Sequence, residues 1–455
     1  MVDPIELGEK ALKKASELGA DEAEVFFQRD KATELEIQRN DIQTLNYTSD
    51  FGVGIRIIID KKIGFSYTNV LTDEKIESTL KKAVSLARNN VPDKDWADLP
   101  YVKNYPTIEN LYDKRIENID SSEIVDIAQH MLNIVSDYDK RLIFAFGGIG
   151  AGVREKLVMN THGVRGYGKG TFIYAMVGLI ARDGEKVTPV VSDFNFSKSF
   201  KLNYEKICQN ASKFTIMALS TEKATSGKYD VIFEHNALEN ILSYTLFPAI
   251  KGDNVVNNRS PLKDKIGEKI FSEDITIYDD GLYPDAMGTE PFDDEGTPSQ
   301  KVPIIEKGVL KGFLYDNYTA KKVGELSTGN GVRTGSSTGA SISYTLLPSI
   351  QPKNIVIKPD KYGPEELIKE VKNGILVYDV QGAHSSNPST GEFSVATAPA
   401  WKIENGEVTK AIKGALLSGT VYDIFKEDVI VGKNVRKRIK LISPWILTRN
   451  VSLAV

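Results

Sequence analysis

The chain has 455 residues, enough to bury a large core in about two or three domains. Charged residues make up 26% of it and hydrophobic residues 41%, a balance that is ordinary for a soluble globular protein. The formal net charge of −5 argues against non-specific nucleic-acid binding, because such binding needs a basic surface that displaces counterions.

Cysteine content and hydropathy further limit which kind of protein this sequence can encode. Cys208 is the one cysteine of the sequence, so an intramolecular disulfide framework is excluded. No apolar run approaches the roughly 18–20 residues that a membrane helix needs, and the acidic N-terminus lacks the apolar core of a signal peptide. We therefore expect a cytoplasmic protein without membrane or nucleic-acid partners, in which Cys208 is a small buried hydrophobe.

The first part of the chain predicts helices packed on a sheet. An amphipathic helix is expected over residues 4–18, and a second over 72–89 with Thr72 as its N-cap. Between them, alternating patterns predict strands at residues 23–28, 33–38, 52–59 and 65–67. This order of elements favours α+β packing over a parallel βαβ repeat.

A second, similar unit follows. The prolines in residues 90–115 predict an extended connection over the surface. Ser121 and Ser122 are expected to cap the next helix, and strands over 144–160 and 170–181 lead to a further helix over 204–219. The likeness of the two units suggests an internal duplication within an N-terminal α+β domain of residues 1–222.

The polar segment of residues 220–227 is predicted to be a linker. A mainly β domain over residues 228–455 is expected to follow it, and this domain carries a helix over 236–250. Asn236 and Glu239 have the N-x-x-E spacing of a capping pair at the start of that helix. Pro248 has no N–H and should end or kink the helix in its last turn.

Residues 290–314 combine an acidic loop with a hairpin pattern. Asp293, Asp294 and Glu295 are adjacent, so they repel one another unless solvent, a cation or a cationic partner lies nearby. Taken alone, such a triplet is typical of a solvated surface loop. After it, two apolar runs flank Lys307 and Gly308, which predicts a β-hairpin.

The same stretch carries the clearest family resemblance. Its P-F-D-D-E-G motif, followed by similar motifs further along, resembles the TldD/PmbA family, also called modulators of DNA gyrase. The further motifs lie at residues 316–322, 327–331, 390–394 and 403–407. They cover most of residues 228–425 in the family's order, and a looser agreement lies at residues 19–25 and 52–56.

The resemblance implies a zinc site that this chain is expected to lack. In the catalytic branch of the family, the helix after the first strand of the C-terminal domain carries an H-E-x-x-x-H motif, and a cysteine near the C-terminus supplies a further zinc ligand. Ser243 takes the position of the first histidine, Tyr244 that of the glutamate, and Pro248 that of the second histidine. None of these side chains suits a zinc ligand or a general base, so we expect no metal and no other cofactor here.

The remaining histidines do not rebuild such a site in the sequence. His130, His162, His235 and His384 are far apart, and their spacing matches no compact metal motif. Each is more typical of a solvated or hydrogen-bonded side chain. His235, beside Glu234 at the degenerate helix, is the one to check.

Three other patterns are weak. Residues 335–339 match the G-x-S-x-G nucleophile elbow, but a strand rather than a helix is predicted after them, over 340–346. Gly329, Asn330 and Gly331 suggest a turn more than a phosphate-binding loop. The basic run 433–440 predicts an edge strand more than a DNA contact.

The resemblance implies a TldE/PmbA-like subunit that is catalytically inactive alone. It would pair with a zinc-bearing TldD-like subunit, as a heterodimer that cuts small or unfolded polypeptides, and self-association into homo-oligomers stays open. Two alternatives remain at this point: a regulator of DNA gyrase, and an independent hydrolase with unrecognised catalytic residues.

The acidic loop supplies the candidates for contact with a partner or a shared cavity. These candidates are Phe292, Asp293, Asp294, Glu295 and Gly296, with Phe313, Tyr315 and Trp401 as neighbours that could equally be core residues. If the chain co-elutes with the zinc-bearing subunit, Phe292→Ala and Asp294→Ala should weaken cleavage without unfolding the chain, because a loop side chain contributes less to the core than to a shared cavity.

Overall fold

The structure, a computed structural model, describes residues 3–334 and 344–455. The G-x-S-x-G match at 335–339 and most of the strand predicted over 340–346 lie outside the described residues. In the N-terminal part, the helices and strands in chain order are α1 (Pro4–Glu17), β1 (Glu22–Gln38), β2 (Asp41–Ile59), β3 (Lys62–Thr68), α2 (Asp73–Asn89), α3 (Lys114–Glu117), α4 (Ser121–Tyr138), β4 (Leu142–Asn160), β5 (Arg165–Asp183), β6 (Lys186–Val187), β7 (Val191–Ser197) and α5 (Tyr204–Met217).

These strands form one antiparallel sheet in the order β3-β2-β1-β4-β5, with β6 and β7 both paired to β5. The central pair, β1 and β4, joins two units of the same element order, in which a helix precedes a group of antiparallel strands and another helix follows it. Helices α1 and α2 cover the first half of the sheet, and α4 and α5 cover the second. This arrangement is the one that a duplicated unit would produce.

The long hairpin of β1 and β2 corrects the predicted strands. Residues 23–28 and 33–38 are parts of one strand, because the charged residues between them face partners on β4: Arg29 pairs with Glu155, and Asp30 with Arg154. The predicted strand 52–59 is the last part of β2. The polar residues in the middle of β1 therefore do not form a turn.

Helix caps agree with the sequence only in part. The side chain of Thr72 accepts a hydrogen bond from the backbone N–H of Lys75 and caps α2 as predicted. Helix α4, however, is capped by Asp120, whose carboxylate accepts from the N–H of Ser122. Residues 90–113 contain no helix or strand, but α3 begins at Lys114, inside the surface connection predicted over 90–115, and Trp96 and Leu99 are buried.

The C-terminal part is mainly β, so the fold is α+β. Its helices and strands are β8 (Thr221–Lys223), β9 (Gly227–Phe233), α6 (His235–Tyr244), α7 (Leu246–Ala249), α8 (Gly252–Val256), β10 (Ile277–Asp280), β11 (Lys301–Glu306), β12 (Val309–Leu310), α9 (Asn317–Val323), β13 (Gly331–Val332), β14 (Ser349–Ile350), β15 (Ile355–Ile357), α10 (Pro364–Lys369), β16 (Asn373–Val377), β17 (Val380–Gln381), β18 (Glu392–Thr397), β19 (Ala400–Glu404), β20 (Glu407–Lys413), β21 (Leu416–Thr420), α11 (Val421–Ile424), β22 (Ile430–Val431), β23 (Arg436–Lys437), β24 (Leu441–Ser443) and β25 (Ile446–Ala454).

Two larger sheets organise this part. One has the order β12-β11-β10-β15-β24-β23, and the other β17-β18-β21-β25-β9-β16-β19-β20-β8 with β22 paired to β25. Strand β8 lies inside the segment predicted as a linker, because an edge strand tolerates the small polar side chains that suggested a linker. The predicted hairpin is present as β11 and β12, and of the basic run 433–440 only Arg436–Lys437 forms an edge strand, β23.

The two parts share a hydrophobic core. Trp401 on β19 is fully buried and packs against Phe214 of α5, with ring centroids 5.2 Å apart. Cys208 on α5 is buried as predicted, and burial is the main cause that raises the pKa of its thiol to about 12. Among the helices of the described ranges, none combines the length and apolar character needed to cross a bilayer.

Candidate functional site

The helix that would carry a zinc motif is broken in two. Helix α6 ends at Tyr244 and α7 begins at Leu246, and the hydroxyl of Thr245 between them donates to the carbonyl of Ile241 at 2.7 Å. Pro248 lies in α7 and offers no N–H to a preceding carbonyl. The single helix predicted over 236–250 is thus two helices, and the break lies at Thr245 rather than at Pro248.

The cap of α6 differs from the predicted pair. Glu234 is the N-cap, and its carboxylate accepts from the N–H of Asn236 at 2.9 Å. Because the helix starts one residue earlier than predicted, Asn236 lies inside its first turn and donates to the carbonyl of Ser192. Glu239 instead accepts from the backbone N–H of Lys440 at 2.6 Å.

The side chains at the aligned positions do not fit zinc. Ser243, Tyr244 and Pro248 are partly buried, and Tyr244 packs against the core of the C-terminal part. A serine hydroxyl and a phenol are weak neutral ligands, and proline has no side-chain lone pair. Within residues 3–334 and 344–455, no three or more His, Cys, Asp and Glu side chains are grouped so that they could hold a metal ion.

The side chain of His235 makes hydrogen bonds within the fold instead. It is 5% exposed, and its ring nitrogens bond to Glu234 Oε1 at 2.7 Å and to the carbonyl of Asn434 at 2.8 Å. Burial alone would raise the pKa of Glu234, but His235, Arg436 and the N–H of Asn236 together outweigh it and lower that pKa to about 2. Both ring nitrogens are thus used within the fold.

The other histidines are likewise distributed over separate elements. His130 on α4 bonds to the hydroxyl of Tyr204 at 3.1 Å. His162, in the turn between β4 and β5, contacts Glu22 at 3.1 Å. His384 lies in a short 3₁₀ turn between β17 and β18.

The acidic loop is inside the protein. Phe292, Asp293, Asp294 and Glu295 are only 1–2% exposed, so the interpretation of a solvated surface loop is wrong. The loop lies between the N-terminal sheet and the C-terminal part of the chain, where its carboxylates meet cations and backbone N–H groups. Burial of three adjacent carboxylates is costly unless each finds such partners.

Asp293 and Asp294 satisfy this requirement with backbone groups. Asp293 accepts from the N–H groups of Glu295, Thr297 and Gly331 at 2.8–3.0 Å, which fixes the turn of the loop. Asp294 accepts from the N–H of Arg333 at 2.8 Å through its second oxygen. Both aspartates therefore tie the loop to β13 and the residue after it.

Cations from the N-terminal sheet complete the cluster. Lys156 on β4 donates to Asp294 at 2.9 Å and to the carbonyl of Phe292 at 3.1 Å, and it also contacts Glu290. Glu24 on β1 is held by Arg56 at 2.7 Å and by Arg333 from the C-terminal part.

These charged residues come from both halves of the chain, and we call them together the acidic cluster. The cluster is defined as Glu24, Arg56, Lys156, Glu290, Asp293, Asp294, Glu295 and Arg333. Burial raises the pKa of Asp293 to about 6 and, with Asp316 nearby, that of Glu295 to about 8. Two donors oppose this rise for Glu295, because its Oε2 accepts from the N–H of Asn317 and Arg56 lies 3.5 Å from its Oε1.

Phe292 and Gly296 fill the remaining space. The Phe292 ring lies 4.7 Å from the ring of Tyr105 and 5.0 Å from the ammonium of Lys156. Gly296 has a φ of 80°, and a Cβ there would lie 2.4 Å from the side chain of Val164. Phe292 and Asp294 are packed or bonded inside the fold, so the premise that these loop side chains contribute little to the core is wrong.

The neighbouring aromatic candidates are core residues. Phe313 is 4% exposed and Trp401 fully buried, and Tyr315 packs against the same C-terminal core as Phe313. None of them forms an exposed surface for a partner chain, because the apolar patterns in which they lie turn inward.

A cavity of about 990 Å³ lies beside the acidic cluster, between the two halves of the chain. Of the candidates from the sequence, Asp294 lines it, whereas Phe292, Asp293, Glu295 and Gly296 do not. One wall is aromatic and comes from β5 and β7, with Phe172, Tyr174, Phe194 and Phe196. The opposite wall carries Gln351, Lys353 and Lys440 of the C-terminal part.

The lysines of this cavity were missed by sequence reasoning. Lys198, Lys353 and Lys440 line it, and none of them makes an ion pair within 4 Å to a carboxylate of the described residues. Burial lowers the pKa of Lys198 and that of Lys440 to about 8. No local pattern marks these residues, because they lie in separate polar segments that only the fold brings together.

Family models match nearly the whole chain. One described as the PmbA/TldA metallopeptidase C-terminal domain matches residues 226–455. Models described as domain 1 and the central domain of the same metallopeptidases match residues 23–87 and 114–219.

Relatives and solved structures agree with these matches. TldE from Thermococcus kodakarensis has 31% identity and a TM-score of 0.91, covering 99% of this chain and 100% of that one. A putative modulator of a DNA gyrase from Thermotoga maritima has 27% identity and a TM-score of 0.89, with the same coverage. A metalloprotease of Methanocaldococcus jannaschii is 28% identical over 92% of this chain and 91% of its own length.

Proposed function

Because the chain belongs to the PmbA/TldD family of metallopeptidases, we propose that it is a TldE-like, non-catalytic subunit. In this role it supports the proteolysis of small or unfolded polypeptides by a zinc-bearing, TldD-like partner. The protein lacks the zinc ligands itself, so zinc belongs to the partner's site. The similarity to TldE of Thermococcus kodakarensis over the whole chain supports this assignment.

The observation that carries the proposal is the chemistry of the helix pair α6 and α7. The positions where the resemblance implies zinc ligands hold Ser243 and Pro248, and Tyr244 replaces the glutamate that would act as a base. A metal hydrolase needs imidazole, thiolate or carboxylate ligands around an ion with an open position for water. His235, the nearest imidazole, already bonds through both nitrogens.

What this chain contributes is shape and binding surface. The acidic cluster locks the two halves of the chain together, and the cavity beside it has an aromatic wall and a cationic wall. Such a cavity can hold a segment of an unfolded polypeptide while the partner's zinc site acts on it.

A partner surface must lie outside the buried loop. Strand β2 exposes large apolar side chains on one face, with Tyr47 66% and Leu45 41% exposed. Exposed aromatic residues are typical anchors of protein interfaces. We place the contact with the TldD-like subunit at the patch formed by Leu45 and Tyr47.

The test mixes this chain with a cognate zinc-bearing subunit and follows complex size and cleavage of a labelled unfolded polypeptide. We expect co-elution, and cleavage by the mixture at least about tenfold faster than by the zinc subunit alone. Tyr47→Arg should abolish co-elution, whereas Val187→Arg, at a site 57% exposed on the distant β6 hairpin, should not. Equal cleavage with and without this chain, and no co-elution, would contradict the proposal.

A second candidate function, regulation of DNA gyrase, is supported by the name of the Thermotoga maritima protein. The basic run 433–440 does not favour direct DNA contact, because Arg436 is bonded to Asp193 and Lys437 to Asp285 at 2.7 Å. A supercoiling assay distinguishes the two functions, since a gyrase regulator should change the supercoiling rate without any zinc-bearing subunit present.

A further inference from the structure

Two ammonium groups, one of them on the cationic wall of the cavity, share one neutral acceptor. Lys251, just after α7, donates to the side-chain oxygen of Gln351 at 3.1 Å, and Lys440 donates to the same oxygen at 3.4 Å. Two positive charges therefore converge on a single amide oxygen. Lys440 and Gln351 line the cavity directly.

The charges around this pair do not neutralise it. Across the described residues, neither Lys251 nor Lys440 has a carboxylate within the 4 Å of an ion pair. Glu239 uses one oxygen for the backbone N–H groups of Lys440 and Leu441, and its other oxygen lies near Arg438. The two ammonium groups therefore carry positive charge that no carboxylate pairs with, and an anion would be stabilised beside them.

Other lysines of the cavity differ in this respect. Lys156 bonds to Glu290 and Asp294, and the field of Glu290 also favours the charged forms of Lys198 and Lys353. These lysines balance the acidic cluster. Lys440 has no such balance: burial lowers its pKa, and Lys251 lowers it further, while Glu239 and Asp279 oppose this only in part.

Asp279 is itself occupied. Its oxygens accept from the N–H groups of Lys353 and Asn354 at 3.0 and 2.8 Å and from the side chain of Asn330. It is 1% exposed and lies more than 4 Å from both ammonium groups, so it forms no ion pair with Lys251 or Lys440. An anion that satisfies Lys251 and Lys440 must therefore come from outside the chain.

The aromatic wall of the cavity indicates which chemical group the rest of such a ligand carries. Phe172 stacks on Tyr174 with centroids 6.5 Å apart, and Tyr174 on Phe194 at 6.2 Å. These rings line the same cavity as Lys440. Stacked rings favour an apolar or aromatic group, whereas the lysine pair favours a carboxylate.

We propose that Lys251, Gln351 and Lys440 form a carboxylate subsite that holds the C-terminal carboxylate of a polypeptide, with an apolar last side chain against the aromatic wall. That the ligand is a polypeptide rests on the proposed function, whereas the preference for a carboxylate rests on the geometry of the subsite. A carboxylate has two oxygens, so it can accept from both ammonium groups where Gln351 now offers one oxygen.

The test measures binding to the full chain alone, by calorimetry at pH 7, without a zinc-bearing subunit. The probes are an N-acetylated tripeptide that ends in Phe with a free carboxylate, and the same peptide as a C-terminal amide. We expect the acid to bind at least about tenfold more tightly than the amide. Equal affinity of the acid and the amide would overturn the proposal.

Two further probes identify the source of the anion. An amidated tripeptide with a central Asp tests an acidic side chain, and inorganic phosphate tests a small oxyanion. We expect both to bind more weakly than the free acid. Tighter binding of either one would overturn the assignment to a polypeptide C-terminus.

Variants separate the subsite from a general effect of charge. Lys440→Gln should reduce the preference for the acid over the amide to within about threefold, and Lys440→Arg should restore it, because the guanidinium keeps the charge. Lys433→Gln is the matched control, since this lysine of the same basic run is 58% exposed and pairs with Glu366. A preference unchanged in Lys440→Gln would contradict the subsite.

The binding measurement is independent of the cleavage measurement, so the subsite and the proposed function can fail separately. If the acid is preferred but mixing with a zinc-bearing subunit gives no faster proteolysis, the subsite stands and the proposed function fails. If proteolysis is stimulated while acid and amide bind alike, the proposed function stands and the subsite fails.

Discussion

The acidic cluster and the lysine pair of the cavity wall are both charged and partly or wholly buried, yet they differ in how the charge is balanced. In the cluster, Asp294 meets Lys156 at 2.9 Å, and Glu24 meets Arg56 at 2.7 Å. In the lysine pair, Lys440 on the wall and Lys251 beside it both bond to one neutral oxygen, that of Gln351. The first region is complete within the chain, whereas the second is complete only with a ligand.

This difference separates structural from ligand-binding charge. Buried charges that are paired across the two halves of a chain fix their relative position, and removal of one partner leaves another charge unpaired. Buried charges without partners cost stability and are retained where they bind something. Mutations in the two regions should therefore have opposite effects on stability.

The largest effect is expected from Lys156→Met. This change removes the cation from Glu290 and Asp294 while it keeps most of the side chain's volume, so it should destabilise the chain by about 3–5 kcal/mol. Denaturant unfolding at pH 7 measures the change. Lys81→Met, in an exposed pair with Glu77, is the control and should leave the unfolding midpoint nearly unchanged. A Lys156→Met chain as stable as the parent would show that the cluster does not hold the halves together.

Phe292→Ala should cost a comparable amount, about 3–5 kcal/mol, because it leaves a cavity among Tyr105, Val158 and Val164. Phe292→Leu should recover a large part of the loss in the same unfolding experiment. Phe51→Ala, at a site 40% exposed, should cost much less. Similar losses at Phe292 and Phe51 would be inconsistent with a buried loop.

A smaller effect concerns pH. The folded-state pKa of Glu295, about 8, lies above its ordinary value of 4.5, so the folded chain holds this proton more tightly than the unfolded chain. The stability that Glu295 contributes is therefore full below pH 4.5 and is lost as the pH rises through 8. Glu295→Gln should remove about 1–2 kcal/mol of the fall in unfolding free energy between pH 6 and 8. Identical pH profiles for the two chains would contradict the raised pKa.

The smallest effect on stability is expected from Lys440→Gln. It removes the repulsion between Lys440 and Lys251, so the free energy of unfolding at pH 7 should be unchanged or higher by less than about 1 kcal/mol. The same variant should lose the preference for a peptide carboxylate. A destabilisation as large as that of Lys156→Met would mean that the wall is structural, like the acidic cluster.

Local patterns in the sequence predicted several parts of the fold well. The hairpin of β11 and β12 follows from alternation around Lys307 and Gly308, and helix α2 from its apolar period and the cap at Thr72. The family was identified from short motifs whose order is preserved. These features depend on neighbouring residues, so a single sequence contains them.

The burial of the acidic loop could not be predicted in the same way. Its partners Lys156 and Arg56 lie on strands far earlier in the chain, so no local pattern connects them with Asp294 and Glu295. The charged middle of β1 was mistaken for a turn for the same reason, because its partners lie on β4. Pairing between distant segments decides whether a charged stretch is exposed.

We claim that this chain serves a metallopeptidase without holding the metal, and metal analysis of the isolated chain checks this. After purification with zinc present and dialysis, we predict well below one zinc per chain, because Ser243, Tyr244 and Pro248 cannot ligate it. The zinc-bearing subunit, treated identically, should retain about one. A full equivalent of zinc in this chain, lost in His235→Ala or Asp293→Ala, would contradict the claim.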